Sequence, residues 1–250
     1  MKKHWKKLVT AVVALVLVVI AGSFIYAKFI NKADDEFDSS DVKDLLTATT
    51  TVAPDAPVTT DSIATDAQTT LPPATVDGVE GPWVIADGSE VGYRVNESIN
   101  GFDTTANGRT QAITGTFTIG ATTVTAGDFT VDMTTFKSDE SRRDGQFNGR
   151  IMDVATFPTA TFVLTQPIDF QQVPTDGTTI TASATGDLTL RGTTKSVTFD
   201  VEATFLNGRV GVLGKIPVLF TDFGIPSPSV ATIKTEDHGI LEFALAFDRA

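Results

Sequence analysis

The chain has 250 residues, 41% of them hydrophobic and 20% charged, enough for one sizeable folded core plus attachments. It holds no cysteine, which excludes disulfides, thiolate metal sites and a cysteine nucleophile, and only two histidines, His4 and His238, which excludes a multi-histidine metal centre. The net charge of −12 argues against a nucleic-acid partner, because such a partner calls for a basic face.

Charge divides the chain into three regions. Residues 1–30 carry five lysines and no acid, residues 31–80 carry 11 acids against two lysines, and residues 81–250 carry 20 acids against 12 bases.

The first region reads as a membrane segment. Residues 8–27 (LVTAVVALVLVVIAGSFIYA) hold no charged side chain. A helix of that length rises about 30 Å, the thickness of a bilayer's hydrocarbon core. Four lysines precede it and Lys28 follows. The positive-inside rule then puts residues 1–7 in the cytoplasm and the rest of the chain outside. Trp5 and Tyr26 stand at the two ends, where amphipathic rings favour the interface. The rival is a cleaved signal peptide, for which Ala21-Gly22-Ser23 offers small residues, followed by secretion. The apolar run is longer than a signal peptide's usual one. A single-pass anchor in the cell membrane is the expectation.

The second region, residues 28–80, reads as a disordered acidic linker rich in Thr, Ala and Pro. Such a stretch buries too little apolar area to offset its ordering entropy. Its prolines and mutual acid repulsion extend it. It suits a spacer, or an O-glycosylated stalk. Residues 34–46 within it fit a short amphipathic helical turn.

The third region, residues 81–250, reads as one β domain. Apolar residues alternate with polar ones along Val91–Val95, Phe129–Met133, Ala160–Leu164, Ile180–Leu190, Val197–Phe205, Val210–Phe220 and Leu241–Phe247. With residues 111–119 this makes about eight strands. Asp87-Gly88, Asn107-Gly108, Asp176-Gly177, Arg191-Gly192 and Asn207-Gly208 are the turn signals, and Asn207-Gly208 is the strongest hairpin signal. Residues 139–151 alone look helical. Long strands joined by short turns predict an eight-stranded antiparallel barrel, with a two-sheet sandwich as the alternative. Ala182, Ala184, Gly186 and Gly214 fall on inward faces, where small residues either leave a lumen or allow close packing.

An ordered set of motifs in this region resembles the YceI-like, lipocalin-like polyisoprenoid-binding family. Residues 83–89 (WVIADGS) open the domain in that family's way, and Gly115-Thr116-Phe117 fits its early strand. Arg143-Asp144, Phe147 and residues 157–162 (FPTATF) are similar to its central signature. Residues 186–197 (GDLTLRGTTKSV) resemble its hairpin, and Asp222-Phe223-Gly224-Ile225 its late motif. The resemblance covers residues 81–250. It implies a lipocalin-like barrel with a long apolar pocket, extracytoplasmic in many members, that binds an isoprenoid or another long-chain lipid. The anchor and acidic linker depart from members that carry a simple signal peptide.

Tyr93, Phe117, Phe162, Phe199 and Phe220 each sit on an apolar alternating face and are expected to line the lumen. Arg143, Asp144 and Phe147 are expected at the mouth, where an arginine suits an anionic head group. Asp139, Glu140 and Asp144 lie among Arg142 and Arg143, which suits a surface ion-pair network at least as well as acid–base catalysis. His238 suits a solvated turn. No catalytic residue, metal or cofactor is expected, and the chain reads as a binding protein with no enzymatic role. The alternative is a structural or adhesion module with a filled core. The expected partners are the lipid and, through the N-terminal helix, the membrane, with a homodimer left open.

Overall fold

The computed structural model describes residues 2–26, 33–48, 78–172, 176–230 and 232–250. Helix α1 runs Lys2–Ile25, and its stretch Trp5–Ile25 is long and apolar enough to cross a membrane. Helix α2 spans Ser39–Thr47, and α3 spans Ser141–Gln146 and continues into a π-helical turn at Phe147–Ile151.

Twelve strands form one antiparallel sheet among the described residues. They are β1 Gly81–Ile85, β2 Glu90–Ile99, β3 Phe102–Thr110, β4 Ile113–Gly120, β5 Thr123–Asp132 and β6 Thr159–Gln166. After these come β7 Ile168–Asp169, β8 Thr179–Leu190, β9 Thr193–Leu206, β10 Arg209–Leu219, β11 Ile233–Thr235 and β12 His238–Arg249. Eight of them close into a ring, in the order β1–β4–β5–β6–β8–β9–β10–β12 and back to β1 through the pairs Trp83↔Arg249 and Ile85↔Phe247. The result is the eight-stranded antiparallel, lipocalin-like barrel.

Tight turns set the register. Asn100-Gly101, Arg191-Gly192 and Asn207-Gly208 all have both residues at positive φ and join strands as two-residue hairpins. That backbone twist matches the twist of the strands it joins. Across β8 and β9, the opposed pairs Thr179–Thr204, Thr185–Thr198 and Thr189–Thr194 share hydroxyl hydrogen bonds of 2.8–2.9 Å. Inside, Trp83 is fully buried, donates from Nε1 to Val79 O (2.8 Å) and stacks on Phe117.

Three findings change or add to the expectations. First, Asn107-Gly108 is no turn: it lies inside β3, a strand the alternation did not reveal. Asn107 is buried there, and Gly108 leaves room for the Tyr93 ring. Second, β1 and β2 lie one after the other along β12. They are separated at Ser89, whose Oγ accepts from Ala246 N (3.0 Å) and contacts Ala86 O (2.8 Å).

Third, the linker is not disordered throughout. Residues 33–48 lie on the outside of the barrel, with Phe37, Val42 and Leu46 buried against Ala86, Leu213, Ala244 and Ala246. Val42 and Leu46 stand one helical turn apart and so share a face of α2. Asp38 and Asp41 form a capping box at its start. Few apolar residues suffice because each meets a small one: a Cβ on Gly211 would collide with Val42. Residues 27–32 and 49–77 of the expected linker lie outside the described residues.

Candidate ligand-binding site

The inward faces of the ring strands enclose an apolar cavity of about 190 Å³. Among the described residues its lining includes no charged side chain, and Thr122, Gln172 and Thr204 are its only side chains with polar oxygen or nitrogen atoms. For scale, a dry cavity of about 150 Å³ lined by Leu, Ile and Phe admits benzene. Aromatic rings shape the wall. Phe162 and Phe199 meet edge to face at 5.5 Å, and Phe199 meets Phe243 at 6.0 Å. Two inward glycines seat these rings: a Cβ on Gly186 would collide with Phe162, and one on Gly214 with Phe243. These glycines therefore act by close packing, and the rings lie back on the wall. Ala184 lines the open space directly.

A second cavity, about 210 Å³, lies at the end of the barrel that carries α3 and the β2–β3 hairpin. Met133, Phe136, Leu190 and Leu241 line both cavities and form the partition between them. Tyr93 stacks on Phe147 here, ring centroids 4.7 Å apart and nearly parallel. Burial pushes the Tyr93 hydroxyl above its ordinary value of 10, so it stays protonated.

The predicted residues thus divide between two compartments. Phe117, Phe162 and Phe199 line the first, while Tyr93 and Phe220 line the second, with Phe220 opening a 3-10 turn after β10. Of the expected mouth residues, Arg143 and Phe147 line the second cavity and Asp144 does not. Asp144 accepts from Ser138 N (2.9 Å) and Ser138 Oγ (2.7 Å), which fixes the loop before α3. Arg143 pairs with Asp139 and with Glu97 Oε1 (3.8 Å). His238 opens β12 at the surface, with Nδ1 2.9 Å from Asp237 Oδ1. Among the described residues, no three His, Asp or Glu side chains cluster as a metal site.

Sequence reasoning missed Phe129, Phe243 and Phe247, which also line the first cavity. The signal was present, since each lies on an inward face with more than one large residue per strand. It also missed the buried cluster around Glu242, a fully buried carboxylate on the outer side of β12. Arg94 donates to it from Nε (3.3 Å) and Nη2 (3.2 Å), and Arg109 from Nη2 (3.4 Å).

Several shared motifs meet at the end of the barrel. Arg191 Nη1 donates to Gly224 O (2.8 Å), and the Arg191 guanidinium lies over the Phe157 ring. Gly192 leaves room for the same ring. The hairpin, the central and the late motifs are therefore one latch that holds the end of the barrel together.

The sequence model of the YceI-like domain matches residues 83–247. The chain belongs to this family. The fold is similar to a polyisoprenoid binding domain from Saccharophagus degradans implicated in plant cell wall breakdown. That likeness has a TM-score of 0.55 at 15% identity and covers 68% of this chain and 99% of that one. It is also similar to BcnA of Burkholderia cenocepacia, with a TM-score of 0.50 at 20% identity, covering 63% and 95%. No curated protein matches the sequence. The family match begins at Trp83, so α1 and residues 33–48 lie outside it.

Proposed function

We propose that the chain is a membrane-tethered, extracytoplasmic binding protein that holds a long apolar amphiphile, an isoprenoid or another lipid, inside its barrel. The observation that carries this reading is the uncharged cavity inside the ring. Each methylene moved from water into such a space contributes about 0.8 kcal/mol, so a long chain binds without any chemical step. The second cavity extends the space beyond the partition at Met133 and Phe136 and adds polar groups at Arg142, Arg143 and Glu140, suited to a head group. Membership of the family and the likeness to a polyisoprenoid binding domain support the ligand class. α1 supports the tether, with residues 1–7 cytoplasmic by the positive-inside rule.

Native mass spectrometry of the full chain in lipid nanodiscs tests this. The expected result is a population heavier by one long-chain lipid, displaced by an added pyrene-labelled isoprenol. A bare chain that takes up none of the probe overturns the carrier and favours the filled structural module.

A further inference from the structure

We infer that residues 33–48 are a clip that shortens the tether and sets the α3 end of the barrel against the bilayer crossed by α1. The lipid leaflet is the occupant of that end. The inference rests on the tethered-carrier reading and adds where the barrel stands.

Two sets of contacts carry it. The first joins the end of α1 to the barrel end that holds the second cavity. Asn100, at the β2–β3 turn, donates from Nδ2 to Ser23 Oγ (2.7 Å). The Phe24 ring meets Phe102 edge to face at 5.5 Å. Tyr26 donates to Glu140 Oε2 (3.5 Å) and lines the second cavity.

The second set fixes where the chain rejoins the barrel. Arg94 Nη2 donates to Asp34 O (2.8 Å), and Asp34 N donates to Asn107 Oδ1 (3.3 Å). Phe37 lies under the Arg109 guanidinium, 3.9 Å from centroid to Cζ. Lys215 Nζ pairs with Glu36 Oε2 at 2.6 Å. At the far end of α2, Arg209 Nη1 donates to Leu45 O (2.6 Å) and Asn207 Nδ2 to Leu46 O (3.3 Å). These satisfy two of the carbonyls that a helix leaves unpartnered at its end.

Chain length then decides the geometry. From Ile25 to Asp34 a fully extended chain reaches roughly 30 Å. From Ile25 to Gly81 it would reach roughly 190 Å. With the clip closed, the barrel has no room to drift from the membrane, and the α1 contacts choose the end that faces it. Electrostatics does not supply this attachment, because residues 81–250 carry 20 acids against 12 bases and an anionic leaflet repels such a surface. An amphiphile entering beside Tyr26 passes from leaflet to cavity without crossing bulk water.

The absence of cysteine allows single-site labelling. Ser141→Cys, on α3, and Ala121→Cys, in the β4–β5 turn at the other end, are labelled with bimane in the full chain. Each is reconstituted into phosphatidylcholine vesicles containing lipid with a nitroxide head group. The Ser141→Cys label is expected to be quenched several-fold more than the Ala121→Cys label. Adding Val42→Asp and Leu46→Asp opens the clip and brings the two signals together. Equal quenching in the clipped chain, when that chain floats with the vesicles, overturns the clip and leaves the tether standing. A chain that does not float with the vesicles overturns both. The comparison in the clipped chain decides the matter even if the double variant does not fold.

Discussion

On its inner side β12 presents Leu241, Phe243, Leu245 and Phe247 to the cavity, and on its outer side it presents Glu242 to Arg94 and Arg109, and Ala244 and Ala246 to residues 33–48. Both sides bury apolar surface, and they do so differently. The inner side uses large rings laid back on glycines, with space left over and few polar atoms. The outer side uses small residues in close contact, bordered by Arg94, Asn107, Asn207 and Arg209, which hydrogen-bond to residues of one segment. A surface with few polar fixed points accepts many apolar chains, whereas placed polar groups select one partner. The barrel thus has an inside shaped for a guest and an outside shaped for a resident.

The largest expected effect lies on the outside. Glu242→Ala leaves Arg94 buried without its carboxylate. Removing one partner of such a pair destabilises a fold by about 3–5 kcal/mol. Guanidinium unfolding of the full chain in micelles measures it. A loss under about 1 kcal/mol, in the range of ordinary surface changes, would break the distinction drawn between the two surfaces.

Next comes Gly211→Ala, whose new methyl group collides with Val42 and Leu46. Overpacking of this kind costs about 1–3 kcal/mol. The damage is expected as faster proteolysis within residues 33–48, with uptake of the pyrene-labelled isoprenol unchanged. If uptake falls with it, the two surfaces are coupled.

How far the sequence discloses each surface follows from the same contrast. The inner face was legible because water on the outside imposes a period of two, as along Ile180–Leu190. The eight-stranded ring followed from that pattern. β3 was illegible because Asn107 and Gly108 look like a turn when read alone, and only their partners Asp34 and Tyr93 make them strand residues. The clip was illegible from the linker side, where Phe37, Val42 and Leu46 are scattered among acids and threonines. A trace of it stood in β12, where Phe243–Phe247 is apolar without a break. A strand apolar on both faces is covered on both. The split of the site into two compartments was not legible, since it depends on how Met133 and Phe136 fold across the barrel.

Ala184→Phe tests the inside. The residue is buried, lines the cavity and faces Phe199 across β8–β9. A phenyl group placed in open space is expected to reduce isoprenol uptake by roughly tenfold or more, about 1.4 kcal/mol of binding. The unfolding free energy should fall by less than about 1 kcal/mol, because a filled site would lose about 1–3 kcal/mol instead. A large loss of stability with unchanged uptake would mean that the guest binds elsewhere.

His238 lies outside both surfaces and gives the smallest expected effect. Its hydrogen bond to Asp237, then the charges of Glu236 and Asp237, raise it above the usual 6.5. The folded chain therefore holds this proton more tightly than the unfolded chain. The resulting stabilisation is present below about pH 6.5 and is lost as pH rises through the raised value. Solvent screens a fully exposed pair, so the gain is small. Unfolding midpoints of the parent chain and of His238→Gln, taken at about pH 5 and about pH 8.5, read it directly. The parent chain should lead slightly in acid and converge with the variant in base, with equal isoprenol uptake at both values. A gap that widens with pH reverses the sign and removes Asp237 as the partner. A change in uptake would extend the guest's surface to His238, which lines neither cavity.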